Sequence, residues 1–148
     1  RDPAGSQYLL VLSNPHLLAF LERNGDVAFL DGTFSLTEGA ICHLLAVQHP
    51  VSGQLIPCVV GVSDRQTTEA YTRFWDIVRR MAPLFHPRLI ITDMERAYHN
   101  SITVAHPQAQ HRICAFHIQQ AVIRRLNAIG IRDRERQRAT CTLITTLF

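Results

Sequence analysis

The apolar residues of this chain come first in strand-length runs and later in helix-spaced ones, and that order limits the folds open to it. Val27 to Asp31 is short and apolar, with Val27, Phe29 and Asp31 sharing one face of a strand. Ile41 to Gln48 and Leu55 to Val62 flank Pro50-Val51-Ser52-Gly53, a turn sequence, and predict a hairpin. Thr67-Thr68-Glu69 then opens a stretch in which Ala70, Tyr71, Phe74, Trp75, Ile77, Val78 and Met81 recur near helical spacing, bounded by Pro83 and Pro87. Leu89-Ile90-Ile91 is continuously apolar, the pattern of a strand buried on both faces in a parallel sheet. Asp93 ends it. Met94 to Val104 predicts a helix, His111 to Ala115 a fifth short strand, and Phe116 to Ile129 a helix stopped by Gly130. Upstream, Ser13-Asn14-Pro15 reads as a helix start and Asn24-Gly25 as its end. The order from Val27 is β-β-β-α-β-α-β-α. It predicts an α/β domain, a mixed sheet of three antiparallel strands and then alternating helix and strand, flanked by helices.

With 148 residues, 47% hydrophobic and 18% charged, the chain is expected to form one domain with a real core rather than a disordered segment. No apolar run approaches the ~18 residues of a membrane span. Cys42, Cys58, Cys114 and Cys141 have no CxxC spacing, which disfavours a four-thiolate zinc site and suits reduced thiols in an intracellular compartment. Cys42 and Cys58 could face each other across the hairpin. Arg1 and Phe148 are expected to be cut ends of something longer.

The net charge of +3 conceals an asymmetry, because all fifteen basic residues are arginine. Residues 1–111 hold eight arginines against ten acids, a net of −2; residues 112–148 hold seven against Asp133 and Glu135, a net of +5. A basic end on a near-neutral body suits a surface that meets nucleic acid, with Arg124, Arg125, Arg132, Arg134, Arg136 and Arg138 as its candidate phosphate contacts. A solvated helix face with acid-arginine pairs would have the same composition.

Asp31 and Asp93 each stand at the end of an apolar run, where sites form in open α/β sheets. On adjacent strands, about 4.8 Å apart, their charges would repel unless a cation lay between them. Hard oxygen donors favour Mg²⁺ or Mn²⁺. Each aspartate could instead cap the turn or helix that follows it. Cys114 and His117 form a C-x-x-H that supplies at most two zinc ligands, and a buried thiol beside a capping histidine accounts for it equally. Tyr71, Phe74 and Trp75 read as packing between helix and sheet. Glu95 and Arg96 read as an exposed helix turn near enough to the strand end to touch a phosphate. The remaining histidines show no H-x-x-x-H pair.

Taken in order, Asp31-Gly32-Thr33-Phe34, Ile56-Pro57-Cys58-Val59-Val60, Glu69-Ala70-Tyr71 with Phe74-Trp75, Thr92-Asp93 and Cys114-Ala115-Phe116-His117 resemble the transposase domain of Mutator-like elements. The resemblance runs from about Val27 to Ala128. It implies a ribonuclease H-like catalytic core with an Asp-Asp-Glu triad, in which Asp31 matches the first acid and Asp93 the second. The third acid of that family lies beyond the C-x-x-H, after a helical insertion, so the chain is expected to be truncated before it. Asp133 and Glu135 fall where the insertion should begin, and neither is assigned.

On this reading residues 1–26 are a helical lead-in, 27–130 the core and 131–148 the start of the insertion. The resemblance further implies a two-metal Mg²⁺ or Mn²⁺ site in the complete enzyme and DNA partners at element ends and target. It also implies a homo-oligomer and, in a eukaryote, a nuclear location. The expected activity is metal-dependent DNA cleavage and strand transfer, incomplete in a fragment of this length. A transposase-derived protein that binds DNA or regulates without catalysis is the alternative.

Overall fold

A computed structural model describes residues 8–37 and 39–146, and within them all side chains but those of residues 33–37 and 145. The side chains of Thr33 and Phe34, half of the Asp-Gly-Thr-Phe string, thus lie outside the described residues, as do both ends of the chain. Six strands form one mixed sheet in the order β1-β4-β3-β2-β5-β6. They are β1 (Leu9–Leu12), β2 (Val27–Thr37), β3 (Ala40–Gln48), β4 (Leu55–Ser63), β5 (Leu89–Thr92) and β6 (Gln110–Ile113). The helices are α1 (Pro15–Asn24), α2 (Thr68–Met81), α3 (Arg96–Ala105), α4 (Ala115–Ala128) and α5 (Arg134–Thr145). The β-β-β-α-β-α-β-α order from Val27 is present.

Local chemistry accounts for the boundaries. Asn14 caps α1 by accepting from the Leu17 amide at 3.0 Å, with Pro15 in the first turn, where its missing N–H costs nothing. Thr67 caps α2 in the same way, accepting from the Ala70 amide at 3.2 Å. Gly53 takes a positive φ of 71° in the turn between β3 and β4, as a tight hairpin connection requires. β2 and β4 each pair antiparallel with β3, whereas β2 and β5 pair in parallel.

The core lies where α2 and α3 meet the sheet. Ala28 and Leu30 of β2, Leu45 and Val47 of β3 and Val59 of β4 are buried with Tyr71, Phe74, Trp75 and Val78 of α2 and Tyr98 and Ile102 of α3. The three aromatic residues of α2 are packing residues, as their spacing predicts.

Several expectations are corrected. Residues 9–12 form an edge strand, because β1 pairs with β4 from Leu9↔Ser63 to Leu12↔Val60. β5 is not buried on both faces: Ile90 and Thr92 are buried while Leu89 and Ile91 are half-buried, so its two faces have unequal cover. Cys42 and Cys58 do not face each other, since Cys42 pairs with Val62 and a bulge beside Leu45 and Ala46 shifts the register before Cys58 is reached. Both are buried free thiols, and burial pushes that of Cys58 up to about 11. A helix, α5, does form after Gly130.

The chain divides into two compact units at Arg112 and Ile113. In the second, α4 and α5 pack together: Gln137 Nε2 donates to Asn127 Oδ1 at 2.8 Å and to the Ile131 carbonyl at 2.9 Å. Among the described residues no helix is long and apolar enough to cross a membrane.

Candidate active site

β2 and β5 are paired from Val27↔Leu89 to Leu30↔Thr92. Asp31 is the next residue of β2, and Asp93 directly follows the end of β5. Asp31 and Asp93 therefore follow the same β2–β5 pair, at one end of two adjacent parallel strands. Asp31 is exposed and Asp93 half-buried. Asp31 does not end its strand, however: Gly32 and Thr33 stay paired with His43 and Cys42 of β3. The expectation that it stands at a strand end is corrected to a position inside β2, where pairing with β5 stops. No turn or helix follows Asp31 directly, which removes the capping explanation for it. Asp93 does act as a cap, accepting the Glu95 amide on Oδ1 at 2.9 Å in the turn before α3.

Glu95 corrects its sequence reading. It is half-buried and accepts a hydrogen bond from the Tyr71 hydroxyl at 3.2 Å, a partner 24 residues away that helix spacing cannot reveal. Burial, together with the nearby Asp93 charge, raises its carboxyl pKa, while the Tyr71 bond acts in the opposite sense. Tyr71 is itself raised, by burial first and then by the Glu95 charge. Arg96, by contrast, is exposed.

Two histidine contacts also escape sequence reasoning. His43, 1% exposed, bonds Tyr98 Oη through Nδ1 and Ser63 Oγ through Nε2, both at 2.8 Å. Its burial lowers its pKa to about 4. His99 and His111 meet Nδ1 to Nδ1 at 2.9 Å, and His111 Nε2 lies 2.8 Å from Thr92 Oγ1. That hydroxyl gives its hydrogen to the Asp93 carbonyl, so it accepts from His111 Nε2–H, and His99 must donate to His111 Nδ1. Burial lowers the His111 pKa, with the neighbouring His99 adding to the effect. The pairs are 55, 20, 12 and 19 residues apart, and no local pattern marks them.

Cys114 occupies the N-cap position of α4 without a side-chain capping bond, and His117 lies in the first turn. The Phe116 and His117 rings meet edge to face at 5.7 Å. Both residues belong to the second compact unit. So do the candidate arginines: Arg124 and Arg125 on α4, Arg132 in the connection, and Arg134, Arg136 and Arg138 on α5, all exposed. Asp133 caps α5 by accepting from the Arg136 amide at 2.9 Å, a structural role. Among the described residues the ion pairs are Arg79–Asp76 and Arg88–Asp26, so none involves these arginines.

The donors at the sheet suit a hard divalent cation in type, being carboxylate oxygens on adjacent strands. They are two in number: among the described residues no group of three or more histidine, cysteine, aspartate or glutamate side chains is placed to hold a metal. No curated protein matches the chain. The MULE transposase domain, as a family, matches residues 27–121, from the start of β2 into α4 and including Asp31, Asp93, Cys114 and His117. Since that match covers more than half of the sequence, the chain belongs to the MULE transposase domain family.

Proposed function

We propose that this transposase-related domain belongs to a ribonuclease H-like catalytic core that cleaves DNA and transfers its strands. The observation that carries the reading is that Asp31 and Asp93 each come one residue after the last β2–β5 pair, Leu30↔Thr92. In this reading the two carboxylates hold Mg²⁺ or Mn²⁺, with a third carboxylate from outside the described residues completing the set. Such cations, when bound, polarise the phosphodiester and stabilise charge on the attacking and leaving oxygens.

The chain's own residues contribute placement. Parallel pairing of β2 with β5 brings the chain to Asp31 and Asp93 at the same end of the two strands, and the Glu95 amide donates to the Asp93 carboxylate. The exposed arginines of α4 and α5 neutralise phosphates and retain the DNA. Asp31→Asn and Asp93→Asn in the full-length protein are expected to abolish cleavage of element-end DNA while leaving DNA binding within about twofold, since the lost charge serves cation binding rather than phosphate contact. Strand cleavage and binding are read on the same substrate. Undiminished cleavage in either variant would overturn the reading. Cleavage absent from the unaltered full-length protein, with DNA binding intact, would leave a binding or regulatory protein derived from a transposase.

A further inference from the structure

Beneath Asp93 the core contains polar groups that simple packing does not need. Ser63 of β4, His43 of β3, Tyr98 of α3 and Tyr71 of α2 are each no more than 1% exposed. Burying such groups is unfavourable unless their hydrogen bonds are made, and here they are made in a connected order. Ser63 donates its one hydroxyl hydrogen to the Arg65 carbonyl at 3.1 Å. It therefore accepts from His43 Nε2–H, which leaves His43 Nδ1 to accept from the Tyr98 hydroxyl. The Tyr98 ring stacks on Tyr71 at 4.1 Å between centroids and 17° between planes, and His43 meets the Tyr71 ring edge-on at 5.0 Å. Tyr71 then donates to Glu95, whose backbone amide donates to Asp93 Oδ1. Four elements converge on one carboxylate.

We propose that this chain is a positioning device: Tyr71, held in place by Tyr98, His43 and Ser63, fixes Glu95, and Glu95 fixes the Asp93 carboxylate for the cation that Asp31 and Asp93 share. Tyr71 and Glu95 are then positioning residues that act through Asp93. The inference rests on the reading of Asp31 and Asp93 as a cation site. It explains why a half-buried glutamate lies two residues from the second acid and why a hydrophobic interface carries a tyrosine hydroxyl aimed at it. Groups that orient a ligand are worth about 10- to 100-fold in metal affinity.

The test is a Mn²⁺ titration of the full-length protein by calorimetry, with the metal-free thermal midpoint recorded for each variant. Tyr71→Phe and Glu95→Ala are expected to weaken Mn²⁺ binding about tenfold. Glu95→Gln keeps an acceptor for the Tyr71 hydroxyl and is expected to remain within about threefold of the unaltered chain. Ser101→Ala is the control for general loosening. Ser101 is fully buried in the same α2–α3 contact, where it accepts from Trp75 Nε1 at 3.3 Å and donates to the Tyr98 backbone carbonyl at 2.8 Å, without touching the Tyr98 hydroxyl that bonds His43. It is expected to lower the midpoint and leave Mn²⁺ affinity unchanged.

The inference is overturned by unchanged affinity in Tyr71→Phe and Glu95→Ala, by a Glu95→Gln loss as large as that of Glu95→Ala, or by an equal loss in Ser101→Ala. The second outcome would mean that charge rather than position matters, and the third that any defect in the interface suffices. Asp31→Asn separates the two levels. If the unaltered chain binds no Mn²⁺, or Asp31→Asn binds it undiminished, the cation-site reading itself fails. If Asp31→Asn loses Mn²⁺ while Tyr71→Phe and Glu95→Ala do not, only the positioning role fails.

Discussion

His43 shows how one side chain can couple the core to solution conditions. Its imidazole is buried and neutral, with a folded pKa of about 4 against an ordinary value of 6.5. Between those values the unfolded chain takes up a proton that the folded chain refuses, so the unfolded state gains. The stabilising effect of a neutral His43 is fully present above pH 6.5 and is lost as pH falls towards 4, by up to about 3 kcal/mol over the window. His106, also lowered to about 4 by burial and then by the Arg79 charge, acts in the same direction, whereas the raised carboxyl of Glu95 acts in the opposite one. A difference measurement isolates His43. His43→Gln retains an acceptor for Tyr98 and a donor for Ser63 but does not titrate. Urea unfolding at a series of pH values is expected to show a shallower fall in stability below pH 6.5 for the variant. Parallel curves would mean that His43 takes up its proton over the same pH range folded and unfolded.

At the scale of elements, Gly61 of β4 sits where α2 crosses the sheet. A Cβ built there would lie 2.9 Å from Phe74 Cδ2 and Cε2 and 3.4 Å from His43 Cβ. Phe74 is 1% exposed and packed edge-on against Trp75 at 5.4 Å between centroids, so its ring has little room to retreat. Gly61→Ala is therefore expected to cost about 1–3 kcal/mol through overpacking, read as a lower urea midpoint at unchanged slope. An unchanged midpoint would show that α2 can shift away from β4. The sequence contains this glycine but not its neighbour, and the same distinction governs which other elements were legible. α1 and α2 carry local signals, a capping side chain followed by periodic apolar residues. β1 and the second half of β2 do not, because their pairing partners, β4 and β3, decide their extent. α5 begins with a polar run, and it folds with help from the Asp133 cap, buried Cys141 and contacts with α4. That Asp31 and Asp93 come just after apolar runs was legible; that Asp31 stays inside β2 and that Tyr71 bonds Glu95 were not, because both depend on partners in other elements.

At the scale of the whole molecule, the charge asymmetry coincides with the division into units. Arg112 lies at the boundary, and the other six arginines of the basic end fall in the second unit, where all are exposed and outside the ion pairs seen among the described residues. Neither Arg124 nor Arg125 is buried, although adjacent helix positions point about 100° apart. An exposed arginine on a solvated face contributes little to stability, but one that reaches a phosphate releases condensed counterions. Each such contact adds about −0.9 to the slope of log affinity against log salt on duplex DNA. Replacing Arg132, Arg134, Arg136 and Arg138 by glutamine is therefore expected to flatten that slope by up to about 3.6 if all four reach phosphate. The fold is expected to survive, because α5 retains its Asp133 cap and the Gln137 bonds to Asn127 and Ile131, none of which uses an arginine side chain. A salt titration of binding to an arbitrary duplex, with circular dichroism to verify helix content, compares the quadruple variant with the unaltered chain. An unchanged slope would assign these arginines to a solvated face and remove α5 from the DNA-contacting surface, leaving Arg124 and Arg125 of α4 to be tested in the same titration.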